Sequence, residues 1–110
     1  MQNAMQTSMR LFSHVEGALK KAAEEKIPVS VRDLFQNPDV HAVAKSEQQV
    51  RDLIKSFAQK KLALRLPIQE ASGDNRARIG YMWNDAATEL ETAAAKTAIT
   101  KYRATKLASE

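Results

Sequence analysis

The sequence predicts a mainly α-helical protein with one small β-hairpin, and three observations carry that prediction. Val50, Leu53, Ile54 and Phe57 fall at i, i+3, i+4 and i+7, which is one face of a helix. Leu62, Leu64, Leu66 and Ile68 then alternate with Ala63, Arg65 and Pro67. After a polar turn, Ile79, Tyr81 and Trp83 alternate with Arg78, Gly80 and Met82, so two segments show the period of β-strands. The closing segment, from Asp85 to about Lys106, is rich in Ala, with acids early and bases late. That order complements the dipole of a long helix.

In chain order, residues 1–6 are expected to lie outside the first helix, which runs from Thr7 or Ser8 to Lys26. Met9, Phe12, Leu19 and Ala23 form its stripe, widened by Leu11, Val15, Ala18 and Ala22. Ile27-Pro28 ends it. Ser30 caps a second helix, and Asp33 three residues on completes a capping box. Asn37-Pro38 closes that helix, and Asp39 is the expected cap of a short helical turn containing Val40, Ala42 and Val43. Ser46 caps the helix over residues 46–60, with Glu47 favourably placed in its first turn. The hairpin then covers residues 62–83, with its loop near 70–76, where Gly73-Asp74-Asn75 tolerates positive φ. The period of two assigns Leu62, Leu64, Leu66 and Ile68 to one apolar face, and Ile79, Tyr81 and Trp83 to the core. Asp85 is the expected cap of the last helix.

The chain has 110 residues and no cysteine, which excludes a disulfide framework and thiolate metal sites. His14 and His41 lie far apart without a carboxylate at ligand spacing, so neither a metal site nor a catalytic triad is indicated and no cofactor is expected. No apolar run reaches membrane-spanning length and no secretory leader is evident. A cytoplasmic location is expected. The net charge is +4, and three of the four surplus positive charges fall within residues 46–84. A basic excess on one element is the footprint of a polyanion binder.

A capped helix with a Lys-rich end, followed by a strand, a turn bearing Arg76 and Arg78, and a short aromatic strand, resembles the winged helix-turn-helix DNA-binding domain. The residues that carry the resemblance are Ser46, Val50, Leu53, Ile54, Phe57, Lys60, Lys61, Leu62, Arg76, Arg78, Tyr81 and Trp83. Lys61 departs from the pattern, because the family often has Gly there in a left-handed conformation. The resemblance covers roughly residues 8–84. It implies a winged helix-turn-helix domain over 1–84, with an additional long C-terminal helix over 85–110 for dimerisation or for packing on the first helix.

The resemblance also implies roles. The 46–60 helix would enter the major groove of double-stranded DNA, with Gln48, Gln49 and Arg51 at base edges. Lys45, Ser46, Lys55 and Lys60 would hold the phosphate backbone, as would Arg76 and Arg78 of the 69–78 wing. Leu90, Ile99 and Tyr102 would join two copies into a homodimer. The expected function is therefore a small sequence-specific, repressor-like transcription regulator of a bacterium or phage, nucleoid-associated and not an enzyme. Two alternatives are a winged-helix subunit that binds protein within a larger complex, and a replication or partition accessory protein. Asp33, Glu47 and Asp52, acidic residues near the face meant for DNA, favour the protein-binding alternative, because they would repel phosphate.

Overall fold

A computed structural model of the chain describes residues 3–69 and 77–109, with residues 69, 77 and 78 described by their backbone. It is mainly helical, with one two-stranded antiparallel sheet. Helix α1 (Ala4–Glu25) begins earlier than expected. The Asn3 side chain accepts from the Gln6 N–H at 2.8 Å, and the Gln6 side chain accepts from the Asn3 N–H, so these two residues form a reciprocal cap. Ser8, an expected helix start, instead lies buried inside α1, where its hydroxyl donates to the Thr100 carbonyl at 2.7 Å.

Helix α1 ends at Lys26, which adopts φ 57°, while the Ile27 N–H donates to the Ala22 carbonyl at 3.0 Å. The chain then runs through Val29, which pairs antiparallel with Tyr81; its N–H donates to the Tyr81 carbonyl at 2.9 Å, and the reverse bond measures 2.7 Å. Helix α2 (Val31–Gln36) carries the Ser30–Asp33 capping box that the sequence indicates. Helix α3 (Pro38–His41) is capped by Asn37 rather than Asp39. The Asn37 carboxamide accepts from the N–H groups of Asp39 and Val40, and Pro38 takes the first helical position, where its missing N–H costs nothing.

Helix α4 (Glu47–Gln59) starts at Ser46, whose side chain accepts from the Gln49 N–H at 3.3 Å. Val50, Leu53, Ile54 and Phe57 are all buried, as their spacing requires. Phe57 meets Phe12 with ring centroids 4.6 Å apart and Trp83 edge-on at 6.2 Å, so α1, α4 and the sheet share one core. The helix ends as α1 does: Lys61 adopts φ 61° and the Leu62 N–H donates to the Phe57 carbonyl at 2.9 Å.

Strands β1 (Ala63–Gln69) and β2 (Ala77–Trp83) pair in a register that runs from Ala63↔Trp83 through Arg65↔Tyr81 to Gln69↔Ala77. This register corrects the expectation for β1. Its core-side residue is the small Ala63, opposite the large Trp83, and Leu64 is 41% exposed. Leu62 is fully buried but belongs to the turn that precedes the strand. The bulk of Trp83 fills the core at this point, so the Leu64–Ile68 face turns away. On that face Ile68 and Pro28 lie close enough to Gly80 to occupy the space of a Cβ.

Helix α5 (Glu89–Ser109) is capped by Thr88, not Asp85: the Glu91 N–H donates to the Thr88 hydroxyl at 3.1 Å and the Glu91 carboxylate accepts from the Thr88 N–H at 3.2 Å. Ser8 beside Thr100 and Phe12 beside Lys96 show that α5 runs antiparallel to α1. Ala95 and Ile99 enter the common core. Among the described residues, no helix is long and apolar enough to cross a membrane.

Candidate nucleic-acid interface

Successive residues of an α-helix are turned by about 100°. In α4 this puts Glu47, Arg51 and Lys55 along one flank and Asp52, Ser56 and Gln59 along the other, with Gln48 near the crest between them. The buried stripe of Val50, Leu53, Ile54 and Phe57 lies opposite that crest and fixes its outward orientation.

The Glu47–Arg51–Lys55 flank borders an open cleft of about 410 Å³. Its other walls are the start of α2, through Ser30, Val31 and Arg32, and the sheet, through Arg65, Ile79 and Tyr81. The hydrogen bonds between Val29 and Tyr81 hold these walls together, since they pin the chain entering α2 to the edge of β2. Four cations, Arg32, Arg51, Lys55 and Arg65, face this cleft with one carboxylate, Glu47. Arg51 and Lys55 are residues that the sequence singled out. Arg32 and Arg65 are not, although Arg65 is readable from the alternation that sets it on the opposite face of β1 from Leu64 and Leu66.

On the crest, Gln48 links two neighbours. Its amide N–H donates to the Asp52 carboxylate at 2.8 Å, and its amide oxygen accepts from the Arg51 guanidinium at 3.0 Å. Arg103 of α5 approaches the same Asp52 carboxylate at 3.9 Å. The Asp52 charge is thus met from two sides, and Arg51, which lines the cleft, is held along the helix against Gln48.

Gln49 requires correction as a base-contacting residue. It is 8% exposed and its amide oxygen accepts from the Lys45 N–H at 2.9 Å, so it braces the entry to α4 from inside. Lys45 has an exposed side chain at that entry, and Ser46 is occupied as the cap. Lys60 is exposed beyond the last turn, on the side where Ser56 and Gln59 meet Tyr102. Arg76 lies outside the described residues. Arg78 sits opposite Ile68 in the register of the hairpin.

Ile99 requires correction as a dimerisation residue. It is 3% exposed within its own chain, because α5 packs on α1 and turns it into the core. Leu90 is 82% exposed at the start of α5. Tyr102 is also exposed, but its ring carries the Arg103 guanidinium at 5.6 Å and the Lys106 ammonium at 5.5 Å, and it stands beside α4. Comparison with protein-family models, with curated proteins and with solved structures finds no match to this chain.

Proposed function

We propose that the chain is a small winged helix-turn-helix regulator that binds duplex DNA, with α4 in the major groove. The observation that carries this reading is the convergence of Arg32, Arg51, Lys55 and Arg65 from three separate elements on one open cleft beside α4. Element order supports it as well. A helix, a short pairing segment at Val29, two helices, α4 and a hairpin follow one another, and the Val29 segment lies against β2. In this arrangement Arg51, aimed by Gln48, reads base edges, where a bidentate arginine–guanine pair discriminates by about 1–3 kcal/mol. Arg32, Lys55 and Arg65 hold phosphates and set the register.

One α4 offers few base contacts, so two copies on a paired half-site would double the readout, acting by occupancy at the nucleoid. Of the three residues expected to join two copies, Leu90 is the most exposed.

The test is selection of bound sequences from a random duplex pool, followed by titration of the selected duplex over a range of salt concentrations. Arg51→Ala is expected to relax the selected preference. Arg65→Ala is expected to weaken all sequences alike and to reduce the salt slope by about 0.9. Wild-type protein that shows no salt-dependent binding, or that prefers duplex RNA in competition, overturns the reading. Absence of DNA binding would leave the protein-interaction alternative, which the Glu47 carboxylate in the cleft and the exposed Leu64 favour.

A further inference from the structure

We propose that the trough between α4 and α5 is a second site for the DNA backbone, so that cations on the two flanks of α4 hold the two strands bordering a single groove. The inference rests on the DNA-binding reading above and adds α5 to the interface. The trough has about the same volume as the cleft, about 390 Å³, and lies along the opposite flank of α4, where Asp52, Ser56 and Gln59 face Tyr102, Arg103 and Lys106. Lys55 lines both.

Three features suit this trough to an anionic polymer. Its carboxylate, Asp52, is met by Gln48 at 2.8 Å and by Arg103 at 3.9 Å, so it is compensated within the chain. The exposed Tyr102 ring supports Lys106, whose ammonium stands 5.5 Å from the centroid at the lip of the trough. Cleft and trough together present six cations against two carboxylates, a surplus as large as the net charge of +4 of the whole chain.

Geometry supplies the link to duplex DNA. A helix with its side chains is about 10–12 Å across, and the major groove is about 12 Å wide. A helix that fills the groove therefore brings each flank against a different backbone. Arg32 and Arg65 are placed for one strand, and Lys106 for the other.

The experiment measures binding to a fluorescein-labelled duplex of mixed sequence over a salt series. Lys106→Gln is expected to reduce the magnitude of the log–log salt slope by about 0.9 and to weaken binding about eightfold at about 0.1 M salt, with Lys106→Arg restoring both. Lys21→Gln, on α1 and outside both troughs, is expected to leave the slope unchanged. The chain has no cysteine, so Arg65→Cys and Lys106→Cys can each carry one DNA-cleaving iron chelate on a duplex selected from the random pool. Cuts on opposite strands support the inference, and cuts confined to one strand overturn it.

If Lys106→Gln leaves the slope unchanged while Arg65→Gln lowers it, the α5 site fails and the DNA-binding reading stands. If Lys21→Gln lowers the slope as much as Lys106→Gln, the effect is diffuse charge and the site fails. Wild-type protein without salt-dependent binding overturns both readings.

Discussion

Replacing Lys61 by glycine should stabilise the protein. Lys61 sits at φ 61°, in the left-handed region, between α4 and β1. Its side chain is exposed, so it contributes little buried area. A residue with a Cβ pays about 1–2 kcal/mol for that conformation, whereas glycine pays about 0.5–1 kcal/mol in extra chain entropy. The difference predicts a net gain of about 0.5–1 kcal/mol, or about 2–6 °C in Tm. The proper reference is Lys61→Ala, which removes the same charge beside Glu91 but keeps the backbone strain. Urea denaturation followed by circular dichroism should give a higher midpoint for the glycine variant than for the alanine variant, at an unchanged m-value. The turn geometry should survive, because it is set by backbone bonds. The Leu62 N–H donates to the Phe57 carbonyl at 2.9 Å, and Asn84 bonds the Lys61 and Leu62 carbonyls at 2.9 and 2.7 Å. On the DNA-binding reading, affinity for a duplex should therefore hold. Equal midpoints for the glycine and alanine variants would refute the argument, since the left-handed backbone would then carry no cost.

Two further outcomes follow from the same structure. Gly80→Ala should destabilise the protein by about 1–3 kcal/mol in urea denaturation, because the new Cβ would meet Ile68 Cγ1 at 2.6 Å and Pro28 Cβ at 2.7 Å; an unchanged midpoint would mean that the outer face of the sheet is loosely packed. The Glu91 carboxyl is held below its ordinary range, first by the Thr88 hydroxyl and N–H that donate to it and then by Lys61. A carboxylate whose folded pKa is depressed contributes stability that is complete above the ordinary glutamate range and lost as pH falls through the folded value. Glu91→Gln should accordingly flatten the acid side of the stability–pH profile while leaving its shape near neutrality, and an identical acid limb in both proteins would count against Thr88–Glu91 as the cap.

The elements were legible in the sequence wherever one local rule decided them. Ser30-x-x-Asp33 and Ser46 announce α2 and α4, and the Val50–Phe57 spacing fixes which face of α4 is buried. Starts went astray where two capping residues competed within a few positions. Asn3 with Gln6 begins α1 ahead of Thr7 and Ser8, Asn37 caps α3 ahead of Asp39, and Thr88 with Glu91 caps α5 beyond Asp85. The choice of sheet face was beyond local reading. Alternation in β1 separates Leu64 from Ala63, but which of them meets the core depends on Trp83 of the partner strand. The cleft was less legible still. Arg51 and Lys55 announce themselves on a helix face, whereas Arg32 and Arg65 join them only because Val29 pairs with Tyr81, far along the chain. Gln49 shows the converse: its polar type suggests an outward role, and its side chain turns in to accept the Lys45 N–H.

Glu47 and Asp52 are the strongest objection to DNA on this face, and they differ in weight. Asp52 accepts from Gln48 and faces Arg103, so its charge is already compensated within the chain, and a phosphate beside it would not meet a bare carboxylate. On the DNA-binding reading the compensation also has a use. The Arg103–Asp52–Gln48–Arg51 chain runs from α5 across the crest of α4, and an arginine held in place loses less entropy when it binds than one that swings free. Among the described residues, Glu47 has no such chain. It lies in the first turn of α4, where the helix dipole favours a negative charge, and it faces the cleft together with Arg32 and Arg51. Its repulsion is therefore local, set against four cations in the same cleft. A uniform coat of positive charge would grip any duplex alike. A carboxylate at the base-facing start of α4 penalises misplaced phosphates and can accept from the N4 amino group of cytosine, so on the DNA-binding reading the acidic residue counts toward discrimination while the surrounding cations supply affinity.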